Sequence, residues 1–380
     1  MKNKSSILYL RSFVPTYINW EINELLRRGL NVRLINLGNS QRSVMWGKIT
    51  GLNTNGKNKL PGELVINSLA ELDESYSYNS AAEKIAKFLG DVSIERIHSH
   101  FAKREAQIGL QLSKILGTEF SLTTHARDIF VPIDVNELQY LLRESPLLFT
   151  ISKFNKKYLE RYIPVKDAHR INVTYLGIDI HKLPKRESIN KNFFSVYCVA
   201  SGLVEKKGVS YLIKACEILK QKGFPFKCFI IGSDLDGKIL ARLRSEVIEL
   251  GLEESIELPG ILPSKEVLKG IAICDVFVLP CIQAKNGDMD GIPVSLIEAM
   301  GIGVPVVSTK VSGIPELITN KKNGFLVMQK NPSAIAEAVI NICNNPEDSA
   351  KMENAARETV KEKFSIKKYV DSLIYHWGID

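Results

Sequence analysis

The chain has 380 residues, of which 45% are apolar and 24% charged. That is the mix of a folded globular protein, and it excludes a collagen, a coiled coil and a disordered tail. Lys and Arg number 50 against 42 Asp and Glu, a net charge of +8. Such a balance favours anionic partners, but the basic residues are scattered and no aromatics interleave with them, so nucleic acid is not expected as a partner.

The length exceeds the roughly 250–300 residues at which one hydrophobic core stops growing, so two domains are expected. The apolar run at 7–10 is predicted to be a strand. It is too short for a signal-peptide core, and no stretch reaches the roughly 20 apolar residues of a membrane span. A soluble or peripherally bound protein is therefore expected. A helix follows over 18–28, with Ile22, Leu25, Leu26 and Leu30 on one side. Strands are predicted at 32–37, 94–98, 120–124 and 147–151, and helices at 81–89 and 106–116, the latter closed by Gly117. The segment 172–185, punctuated by Gly177, Asp179 and Pro184, breaks the pattern.

The alternation then restarts. Strands are expected at 194–200, 226–231, 255–258, 276–279 and 304–307, and helices at 211–220, 240–250, 267–271 and 294–300. Further helices close the chain near 334–343 and 352–377. The fold class is α/β: two doubly wound, Rossmann-like domains facing across a cleft, at 1–180 and 181–355. Residues 356–380 are expected to pack back on the first. Parallel sheets of this kind bind ligands at the carboxyl ends of their strands. The six cysteines (Cys198, Cys216, Cys228, Cys274, Cys281 and Cys343) lie within apolar patterns and are expected to be free, as in a reducing compartment.

The richest stretch runs from Asp288 through Gly291, Ile292, Pro293 and Val294 to Glu298. Gly291 supplies a turn, and Pro293 suits a helix start. The first helical turn carries no acid, which leaves its positive end open to an outside anion. Asp290 and Glu298 flank that end, and carboxylates accept bonds from adjacent sugar hydroxyls.

This segment, with Gly313-Ile314-Pro315-Glu316 downstream, resembles the E-x7-E region of family-4 retaining glycosyltransferases of the GT-B fold. It looks closest to those of colanic acid and exopolysaccharide assembly. The resemblance implies that Glu298 binds the donor ribose and Asp290 the donor sugar, the first acid being Asp here. Leu203–Gly208 is similar to the family's G-R-L-V-E-K-K-G element, so Lys207 would neutralise the diphosphate. Gly202 stands at the family's Arg, and Lys206, Arg127 or the amides of Val294–Leu296 would have to compensate. His98-Ser99-His100-Phe101-Ala102 and Thr123-Thr124-His125-Ala126-Arg127-Asp128 resemble the family's two histidine segments. His125 would then meet the transferring sugar, with His100, Arg127 and Asp128 on the acceptor side. Thr16-Tyr17-Ile18 with Glu21 resembles the family's first loop and helix, Pro15 standing at its acid. Leu258-Pro259-Gly260-Ile261 resembles the loop that pairs with the base.

Taken together, these likenesses imply a metal-independent transferase with catalytic residues His125, Lys207 and Asp290. Its donor site would hold Gly202, Lys207, Gly260, Asp290, Gly291, Ile292, Pro293, Val294 and Glu298. Thr16, His100, Arg127 and Asp128 would serve the acceptor. The donor would be a UDP-sugar used as a substrate, with no cofactor. The acceptor would be a saccharide or lipid-linked oligosaccharide on the cytoplasmic face of an anionic membrane. The D-x-D sequences 288–290 and 234–236 are read as coincidental. A sugar-nucleotide epimerase of the same fold and a non-catalytic nucleotide-sugar binder remain as alternatives.

Overall fold

The computed structural model describes residues 6–11, 16–36, 77–132, 134–187, 189, 191–234 and 236–379. Pro15 and the side chain of Thr16 lie outside the described residues. The chain divides into two compact units, 1–177 with 369–380, and 178–368.

The first unit is a parallel six-stranded sheet of order β2-β1-β3-β4-β5-β6. Its strands are β1 (Ser6–Arg11), β2 (Asn31–Asn36), β3 (Arg96–His100), β4 (Glu119–Thr124), β5 (Leu147–Thr150) and β6 (Ile171–Val173). Its helices are α1 (Thr16–Arg27), α2 (Tyr78–Leu89), α3 (Arg104–Leu116), the single turn α4 (Arg127–Phe130), α5 (Val135–Glu144) and α6 (Lys153–Leu159). Ile7, Leu8, Tyr9 and Leu10 are all buried, as expected of a parallel strand covered on both faces. Each such side chain contributes about 1.5–3 kcal/mol by leaving water.

The second unit carries the order β12-β11-β10-β7-β8-β9, also parallel. Here β7 is Phe194–Val199, β8 Phe226–Ile231, β9 Ile256–Gly260, β10 Val276–Leu279, β11 Val306–Thr309 and β12 Phe325–Val327. The helices are α7 (Val209–Gln221), α8 (Lys238–Glu249), α9 (Ser264–Ile273), α10 (Val294–Ile302), α11 (Ile314–Leu317), α12 (Pro332–Asn344) and α13 (Pro346–Lys363). The last helix, α14 (Ile366–Trp377), lies with the first unit from Tyr369 onward. A one-turn 3₁₀ helix at Glu205–Lys207 precedes α7.

In the second unit the winding reverses between β7 and β10. In the first it reverses between β1 and β3. Such switch points open crevices above the carboxyl ends of the adjacent strands. The sequence motifs fall there: Lys206 and Lys207 after β7, Asp288–Val294 after β10, His100 at the end of β3, and Tyr17 and Glu21 on α1.

Several elements differ from expectation. The edge strands β6 and β12 have three residues each, too few for periodicity to show. The expected single helix over 352–377 is two, broken where Ser365 bridges to Ile178. Strand β3 runs two residues further than expected, which brings His98 and His100 into the sheet with a shared face. Of the six free cysteines, five are buried and Cys343 is half-buried. Among the described residues, no helix is long and apolar enough to cross a membrane.

Candidate active site

In the second unit, two loops are stitched together above the switch point. The Ile282 N–H donates to the Lys206 carbonyl at 2.9 Å, and the Lys285 N–H to a Glu205 carboxylate oxygen at 3.3 Å. Gly208 makes this closeness possible. A Cβ there would lie 1.9 Å from the Pro280 carbonyl oxygen. Gly202 has φ +84° and Leu203 φ +44°. An Arg at 202 would have to adopt a left-handed backbone, which gives a local reason for glycine there.

Lys206 places a second cation beside Lys207. Its Nζ lies 3.1 Å from Asp288 Oδ1 and 3.4 Å from Asp290 Oδ1. Lys207 Nζ lies 2.7 Å from Asp290 Oδ2, and Cys281 Sγ donates to the same oxygen at 3.5 Å. Burial alone would raise the Asp290 carboxyl, but the two lysines outweigh it and hold it below its ordinary value. Burial would likewise lower Lys207, and Asp290 reverses that. So two adjacent cations converge on one site, where the sequence had pointed to Lys207 with Lys206 in reserve.

Helix α10 follows Asp290 in the same loop, starting at Val294. Pro293 caps it with no side-chain bond, and its first turn carries no acid. The Leu296 N–H, expected to face an anion, is taken by the Pro293 carbonyl at 3.1 Å. The N–H groups of Val294 and Ser295 have no acceptor among the described residues. The Ser295 hydroxyl donates to the carbonyl of Val199 at 3.5 Å, which ties the helix start to the end of β7. Gly291, Ile292 and Pro293 are buried and shape the approach. The Gly260 carbonyl accepts the Gly232 N–H at 2.9 Å, so that backbone oxygen already has a partner.

Glu298 follows on α10, half-buried. Protein packed around its carboxyl pushes it up to about 7 from 4.5, and burial is the sole cause. The folded state therefore favours the protonated form. That stabilisation is complete below about pH 4.5 and is lost as pH rises through about 7, on the order of 3 kcal/mol in all. Denaturant midpoints of the wild type should fall across this window relative to Glu298→Gln, which lacks the titration. Parallel curves would show that the carboxyl is solvated.

In the first unit the histidines are buried together. His100 Nδ1 lies 3.1 Å from His125 Nε2, and His100 Nε2 lies 3.1 Å from Glu21 Oε2. Tyr17 hydroxyl stands 3.5 Å from His125 Nδ1. Phe101 stacks on His125 with centroids 4.2 Å apart and has φ +69°, a conformation that bulky residues adopt at some cost. Burial lowers His125 well below the ordinary histidine value, and His100 and Lys103 add to the effect.

Two expectations change here. Asp128 is buried, and its oxygens accept the N–H groups of Ala102 at 2.9 Å, His125 at 3.2 Å and Ala126 at 2.9 Å. It anchors the loop that carries His125 and is not open to an acceptor. His100 is likewise enclosed and faces His125. Arg127 is exposed. Thr16 opens α1. Glu21 joins these histidines, a place at the site not expected from the sequence. Its signal was available: Glu21 falls on the same stripe of α1 as the buried Ile18, Ile22 and Leu25.

The second unit as a whole is a doubly wound sheet with an uncapped helix start and two lysines at its switch point, the place where sheets of this kind bind ligands. The family model of the glycosyl transferases group 1 matches residues 179–359. A colanic acid biosynthesis protein of Salmonella typhimurium, WcaL, is 33% identical over 305 residues, 76% of this chain and 71% of that protein. The chain belongs to the group 1 glycosyltransferases. The amylovoran biosynthesis glycosyltransferase AmsK of Erwinia amylovora is 36% identical over 228 residues, 59% of this chain. That match spans 54% of the relative's length, about half. The crystal structure of HepE from Anabaena in complex with UDP superposes with a TM-score of 0.75 at 18% identity, over 98% of this chain and 99% of that one. The fold is GT-B.

Proposed function

We propose that this protein is a retaining glycosyltransferase that moves a sugar from a nucleoside-diphosphate sugar, UDP-linked, to a saccharide or lipid-linked oligosaccharide in exopolysaccharide assembly. The observation that carries the reading is the free start of α10, with the Val294 and Ser295 N–H groups unclaimed and Lys206 and Lys207 held on Asp290 in the loop that leads into it. The pathway follows the named roles of AmsK and WcaL, and the nucleotide follows the UDP of HepE.

The diphosphate docks at the helix start. Lys207 then exchanges Asp290 for phosphate, and Asp290 is released to a hydroxyl of the donor sugar. Lys206 and Lys207 neutralise the charge that grows on the departing diphosphate, in place of the family's Arg and Lys. Glu298, without a partner among the described residues, accepts the ribose hydroxyls. His125 takes a hydrogen bond from the transferring sugar. The reaction uses no cofactor. The protein works at the cytoplasmic face of the membrane, and its net charge of +8 suits an anionic leaflet.

Labelled UDP-sugars incubated with lipid-linked acceptor should yield a glycosylated lipid whose new linkage keeps the donor's anomeric configuration by NMR. Isomerised free nucleotide-sugar would point to an epimerase instead. Nucleotide binding with no turnover across a panel of donors and acceptors would make the chain a binder.

A further inference from the structure

Glu21 has no part in the transfer scheme, yet it is fully buried. Its oxygens accept the Tyr9 hydroxyl at 2.5 Å and the Tyr369 hydroxyl at 3.0 Å. Burial raises both phenols well above their ordinary values, so both remain protonated donors. The third group against this carboxylate is His100 Nε2, at 3.1 Å. His100 Nε2 is buried and has no other polar partner among the described residues. Two lone pairs at that distance repel, so the nitrogen facing Glu21 carries the proton.

We propose that Glu21 is a positioning residue that fixes the tautomer of His125 through His100. With its proton on Nε2, His100 offers a lone pair at Nδ1. His125 Nε2, 3.1 Å away, must then be the donor, and His125 Nδ1 is bare. That nitrogen faces the Tyr17 hydroxyl at 3.5 Å, a loose contact that a sugar hydroxyl can replace. His125 thus meets the substrate as an acceptor. The ring stays neutral because burial, His100 and Lys103 oppose a charge there. The loop holds it in place, through the Asp128 bond to its N–H and the Asn155 amide on its carbonyl. His98 sits beside the relay with its own partners, Ser121 Oγ at 2.8 Å and Thr123 Oγ1 at 3.2 Å. Trp377 Nε1 donates to Ser121 Oγ at 3.1 Å. The use of this tautomer at the sugar rests on the transfer reading, whereas the tautomer itself does not.

Nitrogen-15 NMR of the imidazoles in the full chain tests this without substrate. In the wild type, His125 should be protonated at Nε2 and bare at Nδ1. A glutamine at 21 can turn its NH₂ toward His100, so Glu21→Gln should abolish that preference, and Glu21→Asp should keep it. If Glu21→Gln does not fold, His100→Ala, which removes the acceptor of the His125 proton, should abolish the preference instead. Transfer by Glu21→Gln should fall roughly tenfold to a hundredfold in kcat. A wild-type His125 protonated at Nδ1, or a preference untouched by either variant, would overturn the relay. So would a stoichiometric metal ion held by Glu21, His98 and His100, whose ligand atoms all lie within 4.8 Å of one another, because His100 Nε2 would then be a ligand. The expected tautomer in a protein that transfers no sugar would sink the transfer reading and leave the relay standing.

Discussion

Replacing Lys207 with alanine is expected to lower kcat/KM for sugar transfer by about 10²- to 10³-fold, most of it in kcat. Lys207 is a part-buried ammonium 2.7 Å from Asp290, and in the proposed reaction donor binding redirects it to the diphosphate. In the ground state the diphosphate already carries charge, and in the transition state it gains more. A cation fixed beside it therefore helps the second state more than the first. Lys206→Ala should cost less, because Lys206 Nζ stays tied to Asp288 at 3.1 Å and reaches Asp290 only at 3.4 Å. The double variant should lose more than either single one. Steady-state kinetics with the donor varied checks the ordering. A rise in KM alone, with kcat unchanged, would mean that Lys207 only holds the donor.

Gly208→Ala is expected to be the most damaging single methyl group in the second unit, at about 3 kcal/mol or more of stability. The added Cβ would sit 1.9 Å from the Pro280 carbonyl oxygen, and φ is +67°. Backbone cannot yield as a flexible side chain can, so the loops after β7 and β10 must part. Lys206 and Lys207 lie immediately before this residue and would move with it. Urea unfolding should show the loss, and nucleotide affinity should fall with it. By contrast, Gly223→Ala tests φ alone, since a Cβ there meets nothing within 4 Å at φ +65°. Its cost should be about 1 kcal/mol. Equal costs for the two would show that the carbonyl contact does not matter.

Much of the second unit was legible because its strands are long runs of buried Val, Ile, Phe and Leu, as at Val276–Leu279. The start of α10 was legible because Gly291, Pro293 and its acid-free turn are local signals, each with a backbone reason. The cation pair was half legible. Adjacency of Lys206 and Lys207 shows in sequence, but their convergence on Asp290 depends on a loop 80 residues away. The first unit hid more. Asp128 looks like an acceptor-side residue until three backbone N–H groups claim it. The partners of Glu21 come from β1, β3 and α14, so nothing within its own helix reveals them. The edge strands β6 and β12 were missed because three residues carry no period.

In the proposed site a nucleotide's diphosphate rests on the start of α10 between two lysines. Calorimetric titration of UDP into the wild type and into the Lys206→Ala, Lys207→Ala double variant tests it most directly, with a crystal structure of the wild-type complex. The expected result is saturable binding that the double variant loses. In the crystal, phosphate oxygens should lie within hydrogen-bond distance of the Val294 and Ser295 N–H groups and the ribose against Glu298. Equal affinity in both proteins, or UDP seated away from α10, would rule this site out.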